Sequence, residues 1–529
     1  MIQLGLLVLF FVAGSIAFTA VDAFLSSRRH ARQAKESGCQ APPRFRHKWP
    51  WGMDNVLRLI QADKEHRVPQ EVMKTYHEAG HATFILTMPG RTNIVTHDPK
   101  NIQAVLATQF DDFELGPQRR NNFYPMLGVG IFTADAQRVV AYGFILQSRE
   151  HSRAALRPQF VREQISDLEL EERHIQTLFQ HLPVDSSGWT AATDLGPIFF
   201  RLTLDTATEF LFGESVHAQS AALPPNASAL PTAFNHHDIG ADFDHGTSVL
   251  GIRSRLAGLY WLYNPPSFRN AIRAVHRFAD DCIERAAQDP YSDKTNDRYV
   301  FLKELLKLTD DKIEIRTQLL NIFLAGRDTT AGLLGWTFWE LARHPEVFRK
   351  LRATILENFG PYGSNKKFTF ATLKSCTYLQ YVMNETLRLY PSVPLNFRQA
   401  TRDTTLPRGG GPDGMSPVYV QRGQEVNYSV YVMHRRRDIW GPDADEFVPE
   451  RWSSRRFGWE YLPFNGGPRV CLGQQFALTE AGYVICRILQ RFDAVEKSVA
   501  SDEELHQYSL TTAPLTVMVK LHQAAEADR

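Results

Sequence analysis

The sequence predicts a mainly α fold with small β-sheets, built as a single large domain behind an N-terminal transmembrane helix. Three observations carry that expectation. Residues 4–21 form an uncharged stretch dominated by Leu, Val, Phe, Ile and Ala. Helical patterns dominate the rest, and one of them, roughly Ile313 to Arg343, stays apolar until His344-Pro345, where proline forbids continuation. Strand-like segments are few and short, such as Val418 to Val420 and Glu425 to Tyr431.

The first stretch is near the lower limit for crossing a hydrocarbon core of roughly 30 Å as a helix. No Lys or Arg precedes it, while Arg28, Arg29, Arg32 and Lys35 follow, an asymmetry that places the body of the protein on the cytosolic side. A cleaved signal peptide has the opposite order, with its basic region first. Residues 3–25 are therefore expected to be an uncleaved anchor. A basic, proline-rich linker follows at 26–52, where Ala41-Pro42-Pro43 and Trp49-Pro50-Trp51-Gly52 stiffen the connection. Residues 53–529 make up the expected catalytic domain. Within it, 218–246 is rich in Ala, Pro, Asn, His and Asp without a sustained period and reads as a long surface loop. The sequon Asn226-Ala227-Ser228 is expected to be silent on the cytosolic side.

Composition narrows the function. Hydrophobic residues reach 43% and charged residues 22%, enough apolar material for a large core and no signature of disorder. The 59 basic side chains nearly cancel the 58 acidic ones, leaving +1, so no overall field favours nucleic acid. The cysteines (Cys39, Cys282, Cys376, Cys471, Cys486) are odd in number and scattered, which argues against a disulfide framework or a structural zinc site.

The chemistry concentrates in Phe464-Asn465-Gly466-Gly467-Pro468-Arg469-Val470-Cys471-Leu472-Gly473. Glycines on both sides of Cys471 permit tight turns and close approach to a flat cofactor. A helical pattern begins at Gln474, and a cysteine at a helix N-terminus has its thiolate stabilised by free N–H groups and the helix dipole. Such a thiolate suits haem iron as an axial ligand. Arg469 can offer a charge-assisted fork to a haem propionate. In the long apolar helix, Ala325-Gly326-Arg327-Asp328-Thr329-Thr330 inserts glycine and hydroxyl residues that can open the backbone ladder into a local kink.

These residues resemble the cytochrome P-450 family, whose haem-binding signature F-x-x-G-x-R-x-C-x-G is filled by Phe464, Gly467, Arg469, Cys471 and Gly473. Glu385-Thr386-Leu387-Arg388 and Pro449-Glu450-Arg451-Trp452 stand in the family's order before it. The resemblance covers essentially the whole chain and implies a haem-thiolate monooxygenase domain with Cys471 on the iron. It implies a buried ion-pair network of Glu385, Arg388 and Arg451, and a proton-delivering pair, Asp328 and Thr329. It also implies propionate contacts at Arg398 and, from the family's W-x-x-x-R helix, at Arg153. Position 149 is Arg149 where that helix carries tryptophan, and residues 136–148 read as an insertion, either genuine or translated intron sequence.

Electrons are then expected from an NADPH-dependent flavoprotein reductase, docked on a basic patch of Arg435, Arg436, Arg437, Arg455 and Arg456. The expected partners are that reductase, a lipophilic small molecule and the membrane, single-pass in the endoplasmic reticulum, with no nucleic acid. Pocket candidates are Phe132, Ile322, Phe323, Leu395 and Phe397, all apolar. The Ala325–Ala331 segment, Thr404-Thr405-Leu406 with Gly409-Gly410-Gly411, and residues 431–436 resemble the fungal alkane- and fatty-acid-hydroxylating branch. That resemblance implies terminal or subterminal hydroxylation of a long chain. The alternatives are a tailoring monooxygenase of secondary metabolism, a haem-thiolate isomerase, or an inactive haem-binding protein.

Overall fold

The computed structural model describes residues 24–135, 140–141, 144–145, 149–160, 168–223, 239–288, 300–498 and 502–525, with the single positions 14, 18 and 21. Most of the expected anchor, the sequon at 226–228 and much of the 136–148 insertion lie outside them. Within the insertion, Val140–Ala141 pairs antiparallel with Phe144–Ile145. Among the described residues no helix is long and apolar enough to cross a membrane.

The helices that build the site are α1 (Leu195–Phe212), α2 (Ile239–Arg255), α3 (Pro266–Gln288), α4 (Lys312–Leu341), α5 (Thr377–Leu389) and α6 (Gln474–Arg491). Helix α4 is the axis of the molecule. The Asp311 carboxylate caps it, accepting from the backbone N–H groups of Ile313 at 2.9 Å and Glu314 at 3.3 Å. It ends just before Pro345, which opens the next helix. Helices α1, α3, α5 and α6 pack around it, so α4 is buried on nearly every face, and this explains why its sequence is apolar all round. Close approach also shapes it: a Cβ at Gly332 would stand 2.7 Å from the Thr512 carbonyl oxygen.

The expected interruption at Gly326 does not break α4, which runs continuously. The Thr329 hydroxyl donates to the Ala325 carbonyl oxygen at 2.7 Å, so its polar group is satisfied on the helix's own backbone without ending the helix.

A five-stranded sheet flanks the helices. Its strands are β1 (Thr83–Met88), β2 (Arg91–Thr96), β3 (Phe113–Glu114), β4 (Leu395–Ala400) and β5 (Glu425–Ser429), in the order β1-β2-β5-β4-β3. Only the β2–β5 pairing in it is parallel. Strand β5 stops at Ser429, short of the expected Tyr431, because the Ser429 hydroxyl accepts from the Val432 N–H at 3.1 Å and caps the helical turn Val430–Met433. The proline-rich segment after residue 37 is docked rather than free. The Gln40 N–H donates to Pro417 at 2.9 Å and the Phe45 N–H to Ile85 at 2.8 Å.

Composition misleads at 239–246, read above as surface loop. These residues open α2, because Ile239, Phe243 and Leu250 recur at helical spacing and are buried. Phe243 meets Phe323 of α4 edge-on at 4.6 Å.

Candidate active site

A cavity of about 530 Å³ runs between α4, the Cys471 segment and the sheet. Ala325, Gly326 and Thr329 line it from α4, and Phe464, Arg469, Cys471 and Gly473 from the segment before α6. That segment is shaped by its own backbone. Gly467 adopts φ +64°, and a Cβ there would overlap the Leu106 carbonyl. The Val470 N–H donates to Gly467 at 3.0 Å and the Cys471 N–H to Phe464 at 3.0 Å, closing a tight loop that presents the sulphur. Cys471 opens onto the cavity while the rest of the protein surrounds it. Burial raises the free thiol's pKa, opposed by the backbone N–H of Gly473 and the charge of Arg153. An axial metal bond would hold the thiolate in spite of that burial.

Arg153 reaches the site, donating to the Val470 carbonyl oxygen at 3.2 Å. Arg469 lines the cavity and ties the neighbouring segment to the cysteine loop, through Ala134 at 2.8 Å and the Asp135 carboxylate at 3.2 Å. Arg398 is 3% exposed and donates to Asn396 Oδ1 at 3.2 Å and to the Phe397 carbonyl at 2.7 Å. Its Nε has no protein partner among the described residues.

A residue that the motifs do not mark joins it. Arg119 donates to the same Asn396 Oδ1 at 2.9 Å and to the Phe132 carbonyl at 3.2 Å. Burial and then the like charge of Arg398 push its pKa down to about 10. Neither guanidinium has an ion-pair partner among the described residues, so the cavity wall carries positive charge in need of an anion. The signal in the sequence was faint, because Arg119 sits in an unremarkable polar run and its partner Asn396 comes 277 positions later.

Asp328 sits behind the lining, 5% exposed, 3.2 Å from Arg327. Burial lifts its pKa to about 6; Arg327 opposes the shift and Asp244 adds to it. Glu480 of α6, also unmarked by the motif reading, lines the cavity. It accepts from the Thr206 hydroxyl at 2.9 Å, and burial lifts its pKa to about 7.

Of the expected pocket residues, Phe132, Ile322, Leu395 and Phe397 line the cavity. Phe323 does not, since α4 turns it away to pack on Phe243. The expected basic patch also shrinks. The Arg435 side chain is 6% exposed, facing Glu504 at 3.5 Å and lying 4.0 Å over the Tyr431 ring. Arg436 is mostly covered and pairs with Asp438, which leaves Arg437, Arg455 and Arg456 exposed.

Beneath the site the expected network forms. Glu385 Oε1 accepts from Arg388 at 2.8 Å, Arg451 at 3.0 Å and the Val448 N–H at 2.9 Å. Its Oε2 accepts from Arg388 at 2.9 Å and Trp452 at 3.0 Å. Both side chains of the Glu385–Arg388 pair are fully buried.

These features fit a flat, dianionic cofactor. The sulphur faces the cavity, and Arg119 and Arg398 offer charge for acidic side arms. Gly473 has φ −88° with no protein atom nearer than 3.7 Å to its would-be Cβ, so the chain's own packing does not require glycine there. The fold and the site define a haem-thiolate protein. The family model described as Cytochrome P450 matches residues 48–521, and the chain belongs to that family: haem is its cofactor and it is a monooxygenase. It is 49% identical to "Cytochrome P450 monooxygenase g430" of Fusarium sp over 92% of this chain and 85% of that protein. It is 46% identical to "Cytochrome P450 52A13" of Debaryomyces hansenii, covering 93% and 91%, and 43% identical to "Cytochrome P450 monooxygenase alt2" of Alternaria solani, covering 93% and 94%.

Proposed function

We propose that this monooxygenase hydroxylates long-chain fatty acids or alkanes at or near the chain terminus, with Cys471 as the residue that would hold the haem iron. The single observation that carries the reading is the continuity of the cavity. It begins at Cys471 and Thr329, passes Phe132 and Leu395, and extends to Leu59, Val72 and Met88 in the N-terminal part of the fold. Such an apolar tunnel suits an extended hydrocarbon. When bound, the haem supplies the activation of dioxygen. The protein's part is to hold, orient and protonate. Arg119, Arg398, Arg469 and Arg153 would hold the propionate side of the cofactor, and Glu385, Arg388 and Arg451 keep the underlying segment rigid. Thr329 orients a proton donor over the cavity, and Asp328, with its pKa near the neutral range, passes protons inward.

The same reading places the protein on the endoplasmic reticulum membrane. The anchor is 3–25, the linker 26–52, and the catalytic domain 53–529 faces the cytosol. Trp51 and Trp261 are 75% and 64% exposed, and Leu262 beside the latter is 61% exposed. Val56 and Leu59 of the helix after Trp51 pack with Ala257, at the start of the turn bearing Trp261. Both aromatics therefore lie near the tunnel's outer end, where they suit a lipid surface. The NADPH-dependent flavoprotein reductase docks on the remaining exposed cations, Arg437, Arg455 and Arg456.

A titration with fatty acids and n-alkanes of increasing chain length tests the substrate. The expected result is a shift of the haem toward high spin, saturating at micromolar ligand, and product oxidised at or beside the terminal carbon. Absence of both across the series overturns the fatty-acid reading in favour of tailoring oxidation of another lipophilic metabolite.

Arg119→Ala tests the cofactor cradle. Loss of a charged hydrogen bond of about 1.5–3 kcal/mol corresponds to ~10- to 100-fold faster haem release. Release is followed by transfer to an excess of a haem-scavenging protein. A release rate equal to that of the unaltered protein removes Arg119 from the cradle.

A further inference from the structure

Arg327 stands beside Asp328 on α4 and serves two carboxylates. Its guanidinium presents a fork to Asp244 of α2, through a short Nη1–Oδ1 contact and a 3.1 Å Nη2–Oδ2 contact. The same Nη1 reaches Asp328 Oδ1 at 3.2 Å. The Arg327 side chain is 3% exposed and that of Asp328 7%, while that of Asp244 is 50% exposed. The chain Asp244–Arg327–Asp328 thus leads from solvent to the carboxyl behind the cavity. It is held in place by the adjoining Phe243–Phe323 contact between the same two helices.

We propose that Asp244 is a positioning residue for proton delivery: by occupying the Arg327 fork it leaves Asp328 a single contact with that guanidinium and connects the buried carboxyl to the surface. The inference rests on the proton-handling role given above to Asp328 and Thr329. A guanidinium prefers two parallel bonds to one carboxylate. With Asp244 in place, that preference is met away from Asp328. Without it, the Arg327 fork can turn to Asp328 and hold it as a permanent carboxylate, which accepts but does not donate. Among the described residues, the charged groups acting on Asp328 are Arg327 on its own helix and Asp244 from α2, and both belong to the clamp.

The test uses the full-length haem-loaded protein with its NADPH-dependent reductase in membranes, without substrate. Each NADPH then reduces dioxygen either halfway to peroxide or, with a second NADPH and further protons, fully to water. Peroxide released per NADPH consumed therefore reads whether protons arrive, whatever the natural substrate is. In the unaltered protein this ratio rises as pH rises through the Asp328 transition, because the carboxyl loses its proton. Asp244→Asn should move the midpoint to lower pH by about one unit and raise the peroxide fraction several-fold at a pH about one unit below the original midpoint. Asp244→Glu should restore the original profile. A merely structural role for Asp244 would alter yield and Tm but not the midpoint. An Asp244→Asn profile that overlays the unaltered one, while Asp328→Asn gives a high, pH-independent ratio, overturns the role of Asp244 and leaves proton delivery by Asp328 standing. Unaltered ratios in both Asp328→Asn and Thr329→Ala overturn the underlying reading, and the clamp falls with it.

Discussion

Cys471→His is expected to abolish monooxygenation and the strongly red-shifted Soret band that a thiolate-ligated haem shows with carbon monoxide. The loop that presents residue 471 is set by backbone contacts, the Cys471 N–H to Phe464 and the Val470 N–H to Gly467. Neither uses the side chain, so the substitution leaves the loop able to form. What changes is the donor. An imidazole is neutral, whereas a thiolate pushes electron density toward the iron and favours O–O cleavage. The measurement is the reduced carbon-monoxide difference spectrum of the purified variant, read beside its haem content. A haem-loaded variant that keeps the red-shifted band would assign the iron to another residue. Among the described cysteines, Cys282, Cys376 and Cys486 are buried in hydrophobic clusters and Cys39 does not line the cavity, so no second sulphur stands ready.

Glu385→Gln should also be damaging, but through stability. The carboxylate collects Arg388, Arg451, Trp452 and the Val448 N–H, and every one of these groups is a donor. An amide replaces one acceptor oxygen with an NH₂ that faces donors. It also strips the fully buried Arg388 of its counter-charge. Breaking one side of a buried pair costs about 3–5 kcal/mol, a large share of the roughly 5–15 kcal/mol that holds a typical domain folded. At ~2 cal/mol/K per residue of unfolding entropy, a chain this long loses about 1 kcal/mol per degree. The expected drop in Tm is therefore about 3–5 °C, with a several-fold lower yield of haem-loaded protein. Calorimetry and haem content measure the two effects. An unchanged Tm with full haem loading would show that the network is dispensable.

The sequence by itself determined whatever depended on neighbours along the chain. The cysteine loop is legible because its glycines, arginine and cysteine act within one short turn. Glu385 and Arg388 are legible because three residues of helix put both on one face. The axis helix was bounded to within a residue or two, since Asp311 and Pro345 act on the backbone beside them. Tertiary structure decided what depends on residues remote in sequence. Arg119 becomes part of the cradle only because Asn396 and Arg398 arrive from another strand. Arg435 looked like a docking cation, yet Glu504, Tyr431 and the carbonyl of Leu389 enclose it. Phe323 and Ile322 are indistinguishable by hydropathy, and the rotation of α4 alone sends one to Phe243 and the other to the cavity. In each case the physical reason is the same: burial and charge pairing are properties of a neighbourhood in space, and local spacing reveals that neighbourhood only when the partners share a turn.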